Sequence, residues 1–570
     1  MSISLFLSIF VREKTTPNSP KTAIQLVENV RQGNRVIQKV IRHFGYALNE
    51  NEKEALKKLA LRYKYDLEHQ DELDLFNSKA ENDILDKAFD ALNKQEEKDL
   101  PVNLRDLKEE ERLSVGLHYS YKQIYDSIGF NTLLTKENSS RNELAKKLFS
   151  LVLARISKPS SKRSSVSIIE REYGIHLDLN GVYRMMDAIN EDKTEAIKRL
   201  GYEYVSGLFS EKLNVIFYDC TTLYFESFEE DELKSNGYSK DNKFNQAQVL
   251  LSIMVTASGL PIGYELYEGN KFEGHTLKDA LQRLHSKYDI DNVIFVADAG
   301  LLSKDNIEIL RAHNENFIVG ARIKNMSKEL NKRILTKSNY KQLNNYTSEE
   351  SLSYQEIYLE NESLRLIVTY SDRRAMKDKH DREKAIESLQ KRLSKSRELK
   401  SVINNYGYKK FLKIEGESTL TINDEKIAQA EAWDGLHGII TNIPANKLSV
   451  QEVLQQYKGL WQVEETFRIS KHDLRMRPVF HWKPRRIKAH IAICYMALVC
   501  IRIMEYKVGL QYKKMSPAAI RNELQQLQIT IWKDYTTGHK YAMPSKATQD
   551  GKKILQLFGK KWTDIPYMIT

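Results

Sequence analysis

Apolar residues change their spacing several times along the chain, and each change predicts a different kind of element. Near the N-terminus, the short apolar runs at 22–30 (TAIQLVENV) and 35–44 (RVIQKVIRHF) flank the turn RQGN, which predicts a small β unit. At 54–63 and 141–156, apolar residues recur every three to four positions, which predicts amphipathic helices. A small β unit followed by a mainly helical region is therefore expected.

A further pair of short helices is predicted within 166–189, on either side of a glycine-containing turn. The pair is a helix-turn-helix candidate in which Arg171 or Arg184 would read DNA. Two helices and a turn also occur in most helical domains, so a purely structural role stays open.

After residue 213 the pattern becomes strand, strand, strand, helix, strand, helix, strand. The predicted strands are NVIFYDCTTLYFE (214–226), AQVLLSIMVTA (247–257), PIGYELYEG (261–269), NVIFVADA (292–299) and NFIVGAR (316–322). Amphipathic helices are predicted between the last three, the second one capped by Ser303. Three antiparallel strands followed by alternating helix and strand is the order of the ribonuclease H-like α/β fold, so that fold is expected for the core of the chain.

The segment from about 325 to 440 interrupts this order with β-rich runs and one highly charged helix, and its size predicts an inserted subdomain with its own core. A long helix over 449–474 should follow, with Ser449 and Glu452 forming a capping box. The predicted division is a small β unit (1–48), a helical, DNA-binding region (49–205), the first part of the core (206–324), a β-rich insertion (325–440), the second part of the core (441–510) and a C-terminal tail region (511–570).

Composition narrows the function classes. The chain has 570 residues, 29% of them charged, and a formal net charge of +11, which favours a polyanionic partner, although an AT-rich genome would also enrich Lys. Three cysteines are too few for a disulfide framework or a zinc knuckle. The apolar stretch Ile487–Met504 carries three basic or histidine side chains, so it is expected to be a core helix and not a membrane span. We expect a cytoplasmic protein without a signal peptide.

Two carboxylates end predicted buried strands, Asp219 in VIFYD and Asp298 in VIFVAD. An aspartate often ends a strand as a turn residue, and that reading suffices for either one alone. In the expected fold the two strands lie side by side, which would bring both carboxylates to one oxygen-seeking cation.

The third carboxylate is expected from the long helix, where Glu464 and Glu465 are adjacent. In a continuous helix Tyr457, Glu464 and Lys471 lie within about 20° of one line, whereas Glu465 points about 100° away. Glu464 is therefore the candidate, against the alternative of a solvated Glu and Lys face.

The spacing of Tyr457, Glu464 and Lys471 in YKGLWQVEETFRISKHDL resembles the signature of insertion-sequence transposases of the YREK group: Y, two residues, R, three residues, E, six residues, K. The segments around both aspartates, GYSKD, EGN and RPVFHW…RRIKAHI are also similar to that family, from about 213 to 505. One position departs from the signature, because Leu460 stands where the family has Arg.

The resemblance implies a DDE transposase in which Asp219, Asp298 and Glu464 hold two Mg²⁺ ions, for which Mn²⁺ substitutes, to cleave and join DNA. It also implies DNA contacts from Tyr457, Lys471 and, on the same stripe, Arg468. The expected partners are double-stranded DNA, as terminal inverted repeats and target, and a second copy of the chain, with no membrane. A nuclease without strand transfer and a catalytically idle DNA-binding descendant are the alternatives.

Other candidate residues have plainer interpretations. Trp461 is expected to pack against the sheet, and Trp433 of the insertion is a candidate for stacking on an unpaired base. His275, His481 and His490 lack metal-ligand spacing, which favours capping or core roles. Lys240 and Lys243 suit DNA phosphate and a solvated loop equally well.

Overall fold

The computed structural model describes most of the chain. The described residues are 9–15, 21–32, 35–68, 88, 102–134, 139–208, 214–226, 229–237, 246–288, 293–301, 303–343, 352–359, 363–393, 411–415 and 419–569. Lys240 and Lys243 lie outside them.

The helices are α1 (Glu50–Glu68), α2 (Val115–Ile128), α3 (Ser139–Ser157), α4 (Lys162–Tyr173), α5 (Leu179–Asp187), α6 (Glu191–Gly207), α7 (Thr276–Tyr288), α8 (Lys304–Ala312), α9 (Lys328–Leu335), α10 (Asp372–Leu393), α11 (Asp424–Glu431), α12 (Val450–Lys458), α13 (Trp461–Arg468), α14 (Pro484–Gln511), α15 (Pro517–Gln525) and α16 (Gln549–Gln556). The strands are β1 (Ile9–Thr15), β2 (Thr22–Gln32), β3 (Arg35–Ala47), β4 (Leu107–Leu113), β5 (Val215–Tyr224), β6 (Gln248–Thr256), β7 (Pro261–Glu268), β8 (Ile294–Ala297), β9 (Asn316–Ala321), β10 (Lys341–Gln342), β11 (Leu352–Leu359), β12 (Leu364–Ser371), β13 (Leu412–Glu415), β14 (Thr419–Ile422), β15 (Leu436–Thr441), β16 (Ile529–Asp534), β17 (Lys540–Pro544) and β18 (Tyr567–Ile569).

A large mixed sheet forms the centre of the molecule, with strand order β10-β11-β12-β15-β9-β8-β5-β6-β7. Strands β5, β6 and β7 are antiparallel neighbours, while β8 pairs in parallel with β5, and β9 with β8. All five strands predicted between 214 and 322 are present in this sheet. The predicted adjacency of the two strands that lead to Asp219 and Asp298 is confirmed, and the fold class is mixed α/β.

The inserted segment does not form a wholly separate unit, and the prediction that it has its own core is wrong for its largest part. Strands β11, β12 and β15 pair with one another and then with β9, so they extend the central sheet. Their buried apolar residues are β-branched or leucine and join the main core, as Leu366, Ile367 and Val368 show. Among the described residues of the insertion, Leu389, Phe411 and Leu412 form a small second cluster.

The two ends of the chain form two further sheets. Strands β1, β2 and β3 make the antiparallel β unit expected at the N-terminus. Strands β18, β17, β16 and β4 make a second sheet, in which β4 from the region expected to be helical pairs with β16 from the region expected to be a tail. The segment after 511 is therefore folded onto the helical region, and it is not a tail.

Helix α14 lies at the middle of the core. It is the one described helix with the length and apolar composition to span a bilayer, but nearly all of that stretch is buried inside the protein. Its length is about 42 Å at 1.5 Å per residue, and it packs on α3, α6 and β7. The prediction of a core helix is confirmed.

Candidate active site on the central sheet

The two aspartates occupy equivalent positions on neighbouring parallel strands. Phe217 of β5 pairs with Val296 of β8, and Tyr218 with Ala297. Continuing this register by one residue places Asp219 opposite Asp298, about 4.8 Å apart at the backbone and on the same face of the sheet. The structure thus brings these two predicted residues together.

Each aspartate is half-buried and bonds to nearby backbone. Asp219 accepts a hydrogen bond from the amide of Cys220 through Oδ1 at 2.7 Å, and Asp298 accepts one from the amide of Gly300 at 2.7 Å. The opposite face of β5 belongs to the core, because the Tyr218 hydroxyl donates to Thr276 Oγ1 at 2.8 Å. Asp219 is therefore turned away from α7.

Helices α12 and α13 cover the face that carries the aspartates. A Cβ placed on Gly459, between the two helices, would lie 2.4 Å from Cζ of Phe217, whose side chain shares its face of β5 with Asp219. Helix α12 packs on β8 and β9, and α13 packs on β5 and β6. The missing side chain at Gly459 thus lets the helix junction rest directly on the sheet.

The predicted continuous helix over 449–474 is wrong. Helix α12 ends at Lys458, α13 begins at Trp461, and a π-helical turn, Ile469–Asp473, follows. At the junction the amide of Leu460 donates to the carbonyl of Tyr457 at 3.0 Å, a tighter i to i−3 bond. The alignment of Tyr457, Glu464 and Lys471 assumed 100° per residue throughout, so it does not carry over. The capping box of Ser449 and Glu452 is confirmed.

Tyr457 lies beside Asp298. A Cβ on Gly320, the residue of β9 in register with Asp298, would meet the Tyr457 hydroxyl at 2.6 Å. Burial raises the pKa of Tyr457 to about 12, with Asp298 and then Glu464 adding to the rise and Arg374 opposing it. One phenol therefore feels both carboxylates, and it stays a hydrogen-bond donor at physiological pH.

The two neighbouring glutamates have different surroundings. Glu464 is exposed, whereas Glu465 accepts two hydrogen bonds from Arg468, at 2.7 and 2.6 Å. Arg468 also lies 3.5 Å from Asp473. Arg468, predicted to contact DNA, is thus already engaged by two carboxylates, and Glu464 is the member of the pair that lacks this ion pair.

The exposure of the side chain differs among three other positions that the sequence indicated. Lys471 lies in the π-helical turn, half-buried, with Nζ 5.9 Å from the Phe467 ring. Leu460, at the signature's Arg position, is only 8% exposed and belongs to the core. Trp461 is 54% exposed, so the expectation that it packs against the sheet is wrong.

Two arginines that sequence reasoning missed border the site. Arg322 donates to the carbonyl of Gly300 at 3.3 Å, and Gly300 is the residue whose amide bonds Asp298. Arg374, in the first turn of α10, is close enough to oppose the rise in the pKa of Tyr457. Arg322 could have been found, because it directly follows a strand parallel to β8, and the ends of parallel strands meet at one edge. Arg374 carried no such signal, since β12 was assigned to a separate insertion.

The side chains of Asp219, Asp298 and Glu464 are not arranged as one set of metal ligands. Among the described residues, no three His, Cys, Asp or Glu side chains are arranged so that they could hold a metal ion. Of the three histidines, His490 is buried and its ring lies 5.3 Å from that of the half-buried His481, which fits the predicted core role, whereas His275 is exposed. In the helix-turn-helix candidate, Arg171 pairs with Glu172 at 3.0 Å and Arg184 with Asp178 at 3.4 Å.

Comparison with known proteins gives the family. The model of the transposase DDE domain matches residues 210–500, just over half of the chain. The chain therefore belongs to the family of transposases with a DDE domain. The matched range holds Asp219, Asp298 and Glu464.

Two solved structures show distant similarity. A piggyBac transposase synaptic complex with hairpin DNA is 10% identical, with a TM-score of 0.37, over 71% of this chain and 78% of that one. A Mos1 transposase paired-end complex with left transposon end is 14% identical, with a TM-score of 0.14, over 32% of this chain and 59% of that one. Neither TM-score adds to the family assignment. A search of curated proteins gave no match.

Proposed function

We propose that this protein is an insertion-sequence transposase of the YREK type. It binds the terminal inverted repeats of its own element, cleaves the DNA there and joins the ends to target DNA. The observation that supports this most strongly is the pair Asp219 and Asp298, in register on adjacent parallel strands under a helix that bears Glu464. Strand order β7-β6-β5-β8-β9, with two parallel pairs, supports a ribonuclease H-like core.

The donor set suits a divalent cation. Two half-buried carboxylates at one strand edge are costly without a partner charge, and oxygen donors are what Mg²⁺ prefers. Asp219 and Asp298, with Glu464 from the helix above, would hold two Mg²⁺ or Mn²⁺ ions. When bound, these ions supply activation of water or a 3′ hydroxyl and stabilisation of the leaving oxygen.

The chain's own residues would bind and orient the DNA around this centre. The Tyr457 hydroxyl, protonated at physiological pH, donates a hydrogen bond to a phosphate oxygen beside Asp298. The guanidinium groups of Arg322 and Arg374 suit bidentate contact with phosphate, and Lys471 adds a point charge. Arg468 contacts DNA only by exchanging part of its ion pairs with Glu465 and Asp473 for phosphate.

The assembly follows from the chemistry. Two transposon ends must be cut and joined together, so two copies of the chain bind both ends as a homodimer. We place this reaction in the cytoplasm of a prokaryotic cell, where the DNA is directly accessible.

A joining assay tests the proposal. Purified protein, Mg²⁺ and duplex DNA that ends in the inverted repeats bounding the gene should yield products covalently joined to a target plasmid. Cleaved ends that never join would identify a nuclease without strand transfer. DNA binding without cleavage would identify an idle descendant, and either result would overturn the proposed function.

A further inference from the structure

Two aromatic side chains project together from the segment that links the π-helical turn to α14. Phe480 is 61% exposed and Trp482 is 62% exposed, whereas Val479 is buried and His481 is half-buried. This alternation is that of extended backbone, in which residues two apart point to the same side. The two rings therefore form one outward-facing pair.

Backbone and ring contacts of the neighbouring residues hold the segment that carries the pair. The amide of Val479 donates to the carbonyl of Tyr224 at 3.3 Å, and Val479 forms an isolated parallel bridge with Phe225. On the other side, the ring of His481 lies 5.3 Å from that of His490 in the buried helix α14. The exposed rings thus need little additional ordering before they bind a ligand, which lowers the entropic cost of binding.

A cation lies beside the Trp482 ring. The ammonium of Lys234 is 5.9 Å from the ring centre of Trp482 and 5.6 Å from that of Phe225, and it pairs with Asp231 at 3.3 Å. Such a cation holds the indole in place by a cation–π contact and leaves the exposed part of the ring to solvent. In the part of the chain that is described, neither Phe480 nor Trp482 stacks on another aromatic ring.

The position of the pair relative to the aspartates sets a length scale. Tyr224, which anchors the segment, follows Asp219 by five residues on β5, a distance of about 17 Å at 3.3 Å per residue. That distance corresponds to about five nucleotides at 3.4 Å each. Basic residues flank the pair, with Arg477 over the Tyr224 ring and Lys483 next to Trp482.

We infer that Phe480 and Trp482 form a stacking platform for unpaired DNA bases, about five nucleotides from the bond that is cut. Aromatic rings beside a basic surface bind single strands in this way, because every base has a stacking face while the phosphates meet the cations. This inference rests on the proposed function, because the platform would bind unpaired bases of the same DNA that is held at the active site.

Binding measurements with the full-length protein test the platform. Fluorescence anisotropy would compare a mixed-sequence single strand with the same sequence as a blunt duplex. Phe480→Ala and Trp482→Ala should each weaken single-strand binding about tenfold, and duplex binding less than about twofold. Trp482→Phe, which keeps a ring, should bind the single strand nearly as well as the unaltered protein, while Trp482→Leu should not.

Tyr535→Ala is the matched control. Tyr535 is 57% exposed and lies near two lysines, Lys108 and Lys533, but it follows β16 in the C-terminal sheet. Its loss should leave single-strand binding unchanged. A Trp482→Leu variant that binds the single strand like the unaltered protein would overturn the platform, and so would equal losses for single strand and duplex. If the unaltered protein binds the single strand through these rings but neither cuts nor joins DNA, the proposed function fails and the platform stands.

Discussion

The substitution Gly459→Ala tests whether the packing of the helix junction on β5 sets the position of Glu464. In Gly459→Ala, the new Cβ would lie 2.4 Å from Cζ of the buried Phe217 ring and 3.0 Å from the carbonyl oxygen of Gln456. Carbon atoms in contact prefer about 3.5 to 4.0 Å, so the overlap is about 1 Å. The ring cannot escape into solvent, and the junction with its helix must move away from the sheet.

The substitution should change the free energy of unfolding and the rate of cleavage by very different amounts. Overpacking of this kind costs about 1 to 3 kcal/mol, while alanine in a helical conformation gains about 1 kcal/mol over glycine. The backbone at Gly459 has helical angles, φ −61° and ψ −12°, so this gain applies and the net loss is about 1 kcal/mol. A displacement of about 1 Å at a catalytic group costs about 100-fold in rate. We expect a small loss of stability and a large loss of DNA cleavage.

The assay is cleavage of repeat-ended duplex DNA under single-turnover conditions, beside chemical denaturation of each variant. Gly509→Ala is the control, because it lies within α14 and a Cβ there has no atom within 4 Å. It should gain about 1 kcal/mol of stability and keep its activity. Phe217→Leu, which removes Cζ, should restore most of the cleavage lost in Gly459→Ala.

Two results would refute this reasoning. Cleavage by Gly459→Ala at the unaltered rate would show that the junction does not position Glu464. A double variant with Phe217→Leu that remains as inactive as Gly459→Ala would show that the loss has another cause.

Three further predictions concern single side chains. Arg322→Ala should weaken DNA binding about tenfold and lower the salt dependence of binding by about one phosphate contact, measured by anisotropy over a salt series; an unchanged slope would argue against the contact. Tyr457→Phe should slow cleavage about tenfold. It should leave the shape of the pH–rate profile unchanged up to about pH 10, because the pKa of Tyr457 is about 12. A fall in cleavage rate below pH 10 that occurs in the unaltered protein but not in Tyr457→Phe would contradict this. Burial and the neighbouring Arg155 lower the pKa of Lys162 to about 7 from its usual 10.5, so the unfolded chain binds more protons between these values and stability should rise with pH there, by at most about 1.4 kcal/mol per unit. Lys162→Met should remove that rise in denaturation curves, and an equal slope in both proteins would rule out Lys162 as its source.

Local patterns predicted the central sheet well. The apolar runs around Phe217 and Val296 were readable as strands, and the fold expected from the order of strands and helices predicted that β5 and β8 are neighbours. The caps at Ser303 and Ser449 depend on side chains within three residues, so they too were readable from sequence. The aspartate pair followed from these local features.

Features that depend on contacts between residues far apart in sequence could not be predicted from local patterns. The junction at Gly459 packs on Phe217, which is more than 200 residues earlier in the chain, and a periodic sequence gives no sign of that contact. Strands β11 and β12 look like part of an independent subdomain until β12 is seen to pair with β15, which in turn pairs with β9. The strand β4 is short and mostly charged, and it forms only because β16 pairs with it. Arg374 was missed because its neighbour Tyr457 is reached only through that extended sheet.

The most direct test of the account measures cleavage and DNA binding side by side in carboxylate variants. Asp219→Asn, Asp298→Asn and Glu464→Gln should each abolish Mg²⁺-dependent cleavage of repeat-ended DNA while binding it with unaltered affinity. Glu465→Gln, the adjacent control, should keep cleaving, because Glu465 is engaged by Arg468. Full cleavage by Asp298→Asn, or loss of cleavage only in Glu465→Gln, would contradict the assignment of the active site.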